Sequence, residues 1–199
     1  MEATEKDLVK KSQQGDIEAF EQLIMGYQKK VFNIALGMMG NHDDASDVSQ
    51  EVFIKVFKSI GSFRQQSSFS TWIYRITVNT CLDELRKRKN SKKTFSLNQV
   101  IYLEKSEVKR QIEDDGLTPE SAAEKNELKK TVREAIFQLS NEYKEVIILR
   151  DINGFSYDDI AKIINCPEGT VKSRINRARG MLKEILKNKM ELWDKDYVK

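Results

Sequence analysis

The chain has 199 residues, of which 39% are hydrophobic and 33% charged, with only two prolines and nine glycines. That length suits one or two small domains, and so few helix-breaking residues suit helices better than sheets. No apolar run is long enough to span a membrane and no signal peptide is visible, so the expected location is the cytoplasm. The two cysteines, Cys81 and Cys166, lack a CxxC partner or a nearby histidine, which argues against zinc and for free buried thiols.

The formal net charge of +3 decides little, but its distribution is informative. Residues 162–189 carry a net +6, residues 75–93 a net +5 and residues 104–124 a net −4. Two basic blocks divided by an acidic one point to two nucleic-acid surfaces and a linker.

Residues 5–38 read as two helices. Leu8, Val9, Ile17, Phe20, Leu23 and Ile24 recur at helical spacing, and Gly15-Asp16 interrupts them, with Asp16 able to cap the second helix. Tyr27, Val31, Phe32, Ile34, Ala35 and Leu36 continue the stripe to Met39 as core. A turn at 40–44, which holds the only histidine, His42, leads into a helix over 45–60. Asp43 and Asp44 suit its positive N-terminal end. Ala45, Val48, Val52, Phe53, Val56, Phe57 and Ile60 form its core face. Asp47, Gln50 and Glu51 lie opposite, with Ile54 among them. An apolar residue on an acidic face fits a protein-binding patch, and a lone exposed Ile is equally ordinary.

A loop over 59–70, with Phe63 and Phe69 near its ends, precedes a helix over 71–89. Trp72, Ile76, Cys81, Leu82 and Leu85 can face a core, while Tyr74, Arg75, Asn79 and the Arg86–Lys89 run can face outward. Aromatics mixed with amides and cations suit single-stranded nucleic acid, where rings stack on bases and cations hold the backbone. The competing reading makes Trp72 a core residue and the basic run a solvated helix end.

Residues 90–124 lose helical regularity and read as a flexible linker. Helical spacing returns through Leu128, Val132, Ala135, Ile136 and Leu139, and Ser140 can cap a helix over 141–151. After Gly154, Ser156 with Asp159 forms a capping box, and Ile160, Ala161, Ile163 and Ile164 give the next helix an apolar face. The sequence Asn-Cys-Pro-Glu-Gly (165–169) breaks it. In the second helix of this pair, Val171, Ile175, Ala178 and Leu182 share one face. Lys172, Ser173, Asn176 and Arg177 share the other, with Thr170 and Arg174 near the edges. A helix that packs on one side and offers hydrogen-bond donors on the other fits a DNA major groove. A solvated basic face is the plainer alternative. The charged tail carries no assignable element.

Three motifs, DASDVSQEVFIKVFKSI, FSTWIYRITVNTCLDELRKRK and FSYDDIAKIINCPEGTVKSRINRARGML, resemble the bacterial sigma factors of the sigma-70 family. The short plan without a long middle domain resembles the extracytoplasmic-function (ECF) group. The resemblance implies an all-α fold: two small helical domains, 1–90 and 122–187, joined by a flexible linker over 91–121 and followed by a charged tail over 188–199. The second domain would be a helix-turn-helix. It implies that Asp47, Gln50, Glu51 and Ile54 dock on core RNA polymerase, at the β′ clamp, with β as a further contact. It implies that Phe63, Phe69, Trp72, Arg75 and Asn79 engage the −10 promoter element as it melts, with one base flipped into the 63–69 loop. Lys172, Ser173, Arg174, Asn176 and Arg177 would read the −35 element. The expected partners are polymerase, promoter DNA and an anti-sigma factor, often membrane-bound in the family. No cofactor, metal or small-molecule substrate is expected. A conventional helix-turn-helix regulator would leave the Trp-Asn-basic helix unexplained. An enzyme would need a metal cluster, a phosphate loop or a nucleophile–base pair that the sequence lacks.

Overall fold

A computed structural model describes residues 4–95 and 119–196, with side chains over 4–89 and 127–189. All regular structure among the described residues is helical. The helices are α1 (Glu5–Gln13), α2 (Ile17–Met25), α3 (Gln28–Met39), α4 (His42–Ser59), α5 (Phe69–Phe95), α6 (Pro119–Gln138), α7 (Asn141–Ile147), α8 (Tyr157–Ile164) and α9 (Glu168–Asp196). The all-α expectation holds. Most of the predicted linker lies outside the described residues.

Local chemistry sets the boundaries. The Thr4 hydroxyl accepts from the Asp7 N–H and the Asp7 carboxylate accepts from the Thr4 N–H, a capping box that starts α1. Asp16 accepts from the Ala19 N–H at 3.0 Å to start α2. The stretch read as two helices forms three, because the chain turns again at Gly26 and Tyr27. Asn41 caps α4 through the Asp44 N–H at 2.9 Å, so His42 belongs to the helix rather than to the turn before it. Gly40 closes α3 with φ 89°, a left-handed conformation that costs glycine little. Ser140 occupies the expected cap position of α7 but its side chain makes no capping bond. The helix predicted over 141–151 is α only to Ile147 and continues as a π-helical segment, Ile148–Ile152.

Helices α3, α4 and α5 form the centre of the N-terminal half, with Val31, Ile34, Val52, Val56 and Ile73 fully buried. Arg88 of α5 donates to both carboxylate oxygens of Asp44 on α4, the Nη2–Oδ1 distance being 2.6 Å. In the C-terminal half, Val146, Leu149, Ile160, Val171, Ile175 and Ala178 join α7, its π-helical continuation, α8 and α9. The two groups of helices pack against each other in one continuous apolar cluster. Glycines allow the approach: a Cβ on Gly37 would lie 2.9 Å from Ile148 Cγ2, and one on Gly40 only 2.1 Å from Phe137 Cζ.

Candidate functional site

The first surface is the outer face of α4. Asp47, Gln50 and Ile54 are exposed and Glu51 is half-exposed. Their spacing of three and four residues puts them on one side of the helix. Glu51 accepts from Lys55 Nζ at 2.8 Å, and this contact holds its carboxyl below the usual range. Ile54 is 53% exposed. Phe57, expected in the core, is 46% exposed and meets Phe20 edge-on at 5.0 Å between ring centroids. It stands three residues beyond Ile54, so the face carries two apolar residues rather than one. The sequence signal existed: Phe57 sits at the margin of the apolar stripe of α4, where residue type alone cannot decide burial.

The second surface runs from the end of α4 into α5. A 3₁₀ turn, Ile60–Ser62, is held from α1, whose Gln13 side chain donates to the carbonyls of Ile60 and Phe63 at 3.1 and 2.8 Å. Phe63 and Phe69 are buried, at 8% and 3% exposure, and touch each other edge-on at 5.8 Å. Both also meet Trp72, at 4.9 and 5.7 Å. Trp72 is only half-buried, so one part of its ring rests on the two phenylalanines and the rest is open. Asn79 is exposed two turns along α5. Tyr74, expected outside, is buried against Phe155 at 5.0 Å and Tyr27 at 5.9 Å, and burial pushes its hydroxyl pKa up to about 12. Arg75 donates from Nη2 to the Lys162 carbonyl at 2.5 Å, while its Nε is buried without a partner. Lys162 lies in the last turn of α8, whose carbonyls have no partners within the helix, so a guanidinium from α5 serves that end.

The third surface is the start of α9. Ser156 and Asp159 form the predicted capping box of α8, with the Asp159 N–H 3.0 Å from the Ser156 hydroxyl. Asn165 ends α8 in a left-handed conformation, φ 53°. Gly169, expected in the turn, lies within the first turn of α9 instead, because the helix begins at Glu168 just after Pro167. Val171, Ile175 and Ala178 are fully buried, as the period predicts. Lys172, Ser173, Asn176 and Arg177 are exposed together.

Lys172 pairs with Glu168 at 2.7 Å, and that bond raises its pKa. Arg179 donates from Nη2 to Asp151 at 2.5 Å. Arg174 differs from its neighbours. It is half-buried, with Nη1 3.3 Å from Glu145 Oε1 and Nη2 3.6 Å from Glu142 Oε2 on α7. Its position at the edge of the polar face was legible. Its acidic partners, some thirty residues earlier, were not. Arg177 makes no ion pair with any described residue, so its guanidinium is available.

Among the described residues, no group of three His, Cys, Asp or Glu could hold a metal, and no helix is long and apolar enough to cross a membrane. Burial pushes the Cys81 thiol up to about 12.

The two groups of packed helices, the second carrying a basic helix after a tight turn, form an all-α architecture that ends in a helix-turn-helix. The chain matches the family description Sigma-70 region 2 over residues 23–91 and Sigma-70, region 4 over residues 129–182. It is 41% identical to the ECF RNA polymerase sigma-E factor of Haemophilus influenzae over 191 residues, covering 94% of this chain and 96% of that one. It is 36% identical to the ECF RNA polymerase sigma factor SigW of Bacillus subtilis over 189 residues, covering 94% and 100%. Among solved structures, it resembles the sigma factor RpoE in complex with the anti-sigma factor NepR from Bartonella quintana. That match has a TM-score of 0.64 and 27% identity, and covers 84% of this chain and 96% of that one. CnrH in complex with the cytosolic domain of CnrY shares the fold at a TM-score of 0.65 and 23% identity, covering 91% and 96%. The chain belongs to the sigma-70 family of RNA polymerase sigma factors, within the ECF group. It is a transcription initiation factor that directs promoter recognition, not an enzyme.

Proposed function

We propose that the chain forms two domains, 1–90 and 122–187, and that the outer face of α4 docks on the clamp of core polymerase through Asp47, Gln50, Glu51 and Ile54, with Phe57 extending the apolar part. The coincidence of two exposed apolar side chains with three hydrophilic ones on one helix face carries this reading. Charged rims steer association and apolar centres hold it. Glu51→Lys reverses one charge at a half-exposed position paired with the surface Lys55, so the fold should survive while co-purification with core polymerase is lost. Normal recovery of this variant with core enzyme removes the docking face from the reading.

Lys172, Ser173, Asn176 and Arg177 then read the −35 element, and Trp72, Asn79 and Arg75 meet the melted −10 strand beside a pocket built on Phe63 and Phe69. Phosphate contacts and captured bases offset an unstacking cost of a few kcal/mol. Because Arg75 serves α8 in this structure, using it on DNA requires α5 and α8 to separate when the chain joins polymerase. The protein works in the cytoplasm. One solved relative, RpoE of Bartonella quintana, was captured with an anti-sigma factor, which supports regulation of this chain by a similar partner, soluble or membrane-bound. Run-off transcription from a genomic promoter library, with core polymerase alone and with the protein, tests the whole reading. Defined start sites should appear only when the protein is added.

A further inference from the structure

Arg174 stands among the reading residues of α9 yet points its guanidinium at α7. It forms ion pairs there with carboxylate oxygens of Glu145 and Glu142, at 3.3 and 3.6 Å. Glu142 is exposed, whereas Glu145 is only 6% exposed. A buried carboxylate that faces one guanidinium holds it more firmly than an exposed one, because water competes less for the contact. Freed from that contact, an arginine at this edge of a groove-binding helix would find a phosphate, and phosphate contacts carry no sequence information.

We propose that Glu145 is a positioning residue for DNA binding by α9: it holds Arg174 against α7, so that α9 presents Lys172, Ser173, Asn176 and Arg177 to bases while one phosphate contact, which would tighten binding to any sequence, is withheld. The proposal rests on reading α9 as the −35 helix. The restraint is sensitive to protons. Burial, opposed by Arg174 and reinforced by Glu142, raises the Glu145 pKa to about 7. The groups around it are Arg174 on α9, Glu142 on α7 and the Cys166 thiol in the α8–α9 turn, itself raised by burial. Protonation removes the charge that holds Arg174, so the hold is complete above neutrality and weakens as pH falls through it.

The test uses holoenzyme assembled from core polymerase and the full chain. It measures equilibrium affinity for a promoter fragment obtained from run-off and for the same fragment with its −35 element scrambled, over a range of salt and pH. Glu145→Gln, close to isosteric, should bind both fragments roughly five- to tenfold tighter and steepen the salt dependence on both by about 0.9, the signature of one more phosphate contact. Adding Arg174→Gln should return the slope to the wild-type value. The wild-type slope should steepen between about pH 8 and about pH 6, while that of Glu145→Gln should stay flat. Taking the difference in slope between wild type and Glu145→Gln cancels effects of pH on polymerase itself. A Glu145→Gln protein with unchanged affinity and slope overturns the proposal, as does a double variant that keeps the steeper slope. If Glu145→Gln fails to fold, the pH profile of the wild type set against that of Arg174→Gln decides, and parallel profiles refute the role of Glu145. If wild-type holoenzyme does not discriminate the fragments at all, the reading of α9 fails and the proposal with it.

Discussion

The two candidate DNA surfaces are built on opposite principles. On α9 the reading residues are exposed polar side chains above a fully buried apolar stripe, so the surface exists before DNA arrives. Between the end of α4 and α5 the chemistry is aromatic, and the rings satisfy one another: Phe63 and Phe69 are inside and Trp72 is half inside. Duplex DNA presents its donors and acceptors in a fixed groove and rewards a preformed face. A base leaving the stack needs an apolar platform, and such a platform left fully open in water would be unstable.

That contrast can be broken in order of effect. Phe69→Ala should destabilise the protein by about 3–5 kcal/mol, because it empties a packed position in the aromatic cluster. Urea unfolding measures it, and a cost near zero would mean that Phe69 is already free and the platform preformed. Arg177→Ala should weaken −35 binding by about 1–3 kcal/mol if its guanidinium meets a base, with stability unchanged since the side chain is exposed. An unaltered footprint on the promoter would strike it from the set. Trp72→Ala should lower affinity for single-stranded −10 DNA by about 1–3 kcal/mol while sparing −35 duplex binding. Equal losses on both DNAs would show that Trp72 acts through the fold.

The smallest effect concerns the tie at the other end of the α4–α5 pair, away from the aromatic surface. The Arg88 guanidinium, and to a lesser extent Asn41, holds the Asp44 carboxyl below its usual range. Asp44 therefore contributes stability above the ordinary carboxylate pKa, and that contribution is lost as pH falls through the depressed value. Its size should be a few tenths to about 1 kcal/mol, since Arg88 is substantially exposed. Asp44→Asn should flatten the acid limb of a stability–pH curve by that amount. An identical acid limb would reject the tie.

The sequence made legible what depends on neighbours in the chain. The capping box at Ser156, and the Val171, Ile175, Ala178 stripe, follow from spacing of three or four residues. What it hid depends on residues that folding brings together. Tyr74 is buried because Phe155 reaches it, and Arg174 is held because Glu142 and Glu145 face it. Phe57 departs from its pattern for a related reason: among the described residues it is met along that margin by the edge of Phe20 and is left 46% exposed. The break at Gly26 is hidden because the apolar stripe runs through it without interruption.

Gly37 and Gly40 have a further consequence for anyone exchanging parts between such proteins. Each sits in the first half of the chain, and each leaves space that is filled by a side chain from the second, Ile148 and Phe137. A chimera that joins this N-terminal half to a C-terminal half with bulkier residues at 137 and 148 would meet a steric conflict. So would one that brings any side chain to position 37 or 40. The halves are modular in their binding roles but matched at these two points, and compatibility between them should follow the paired volumes rather than overall sequence identity.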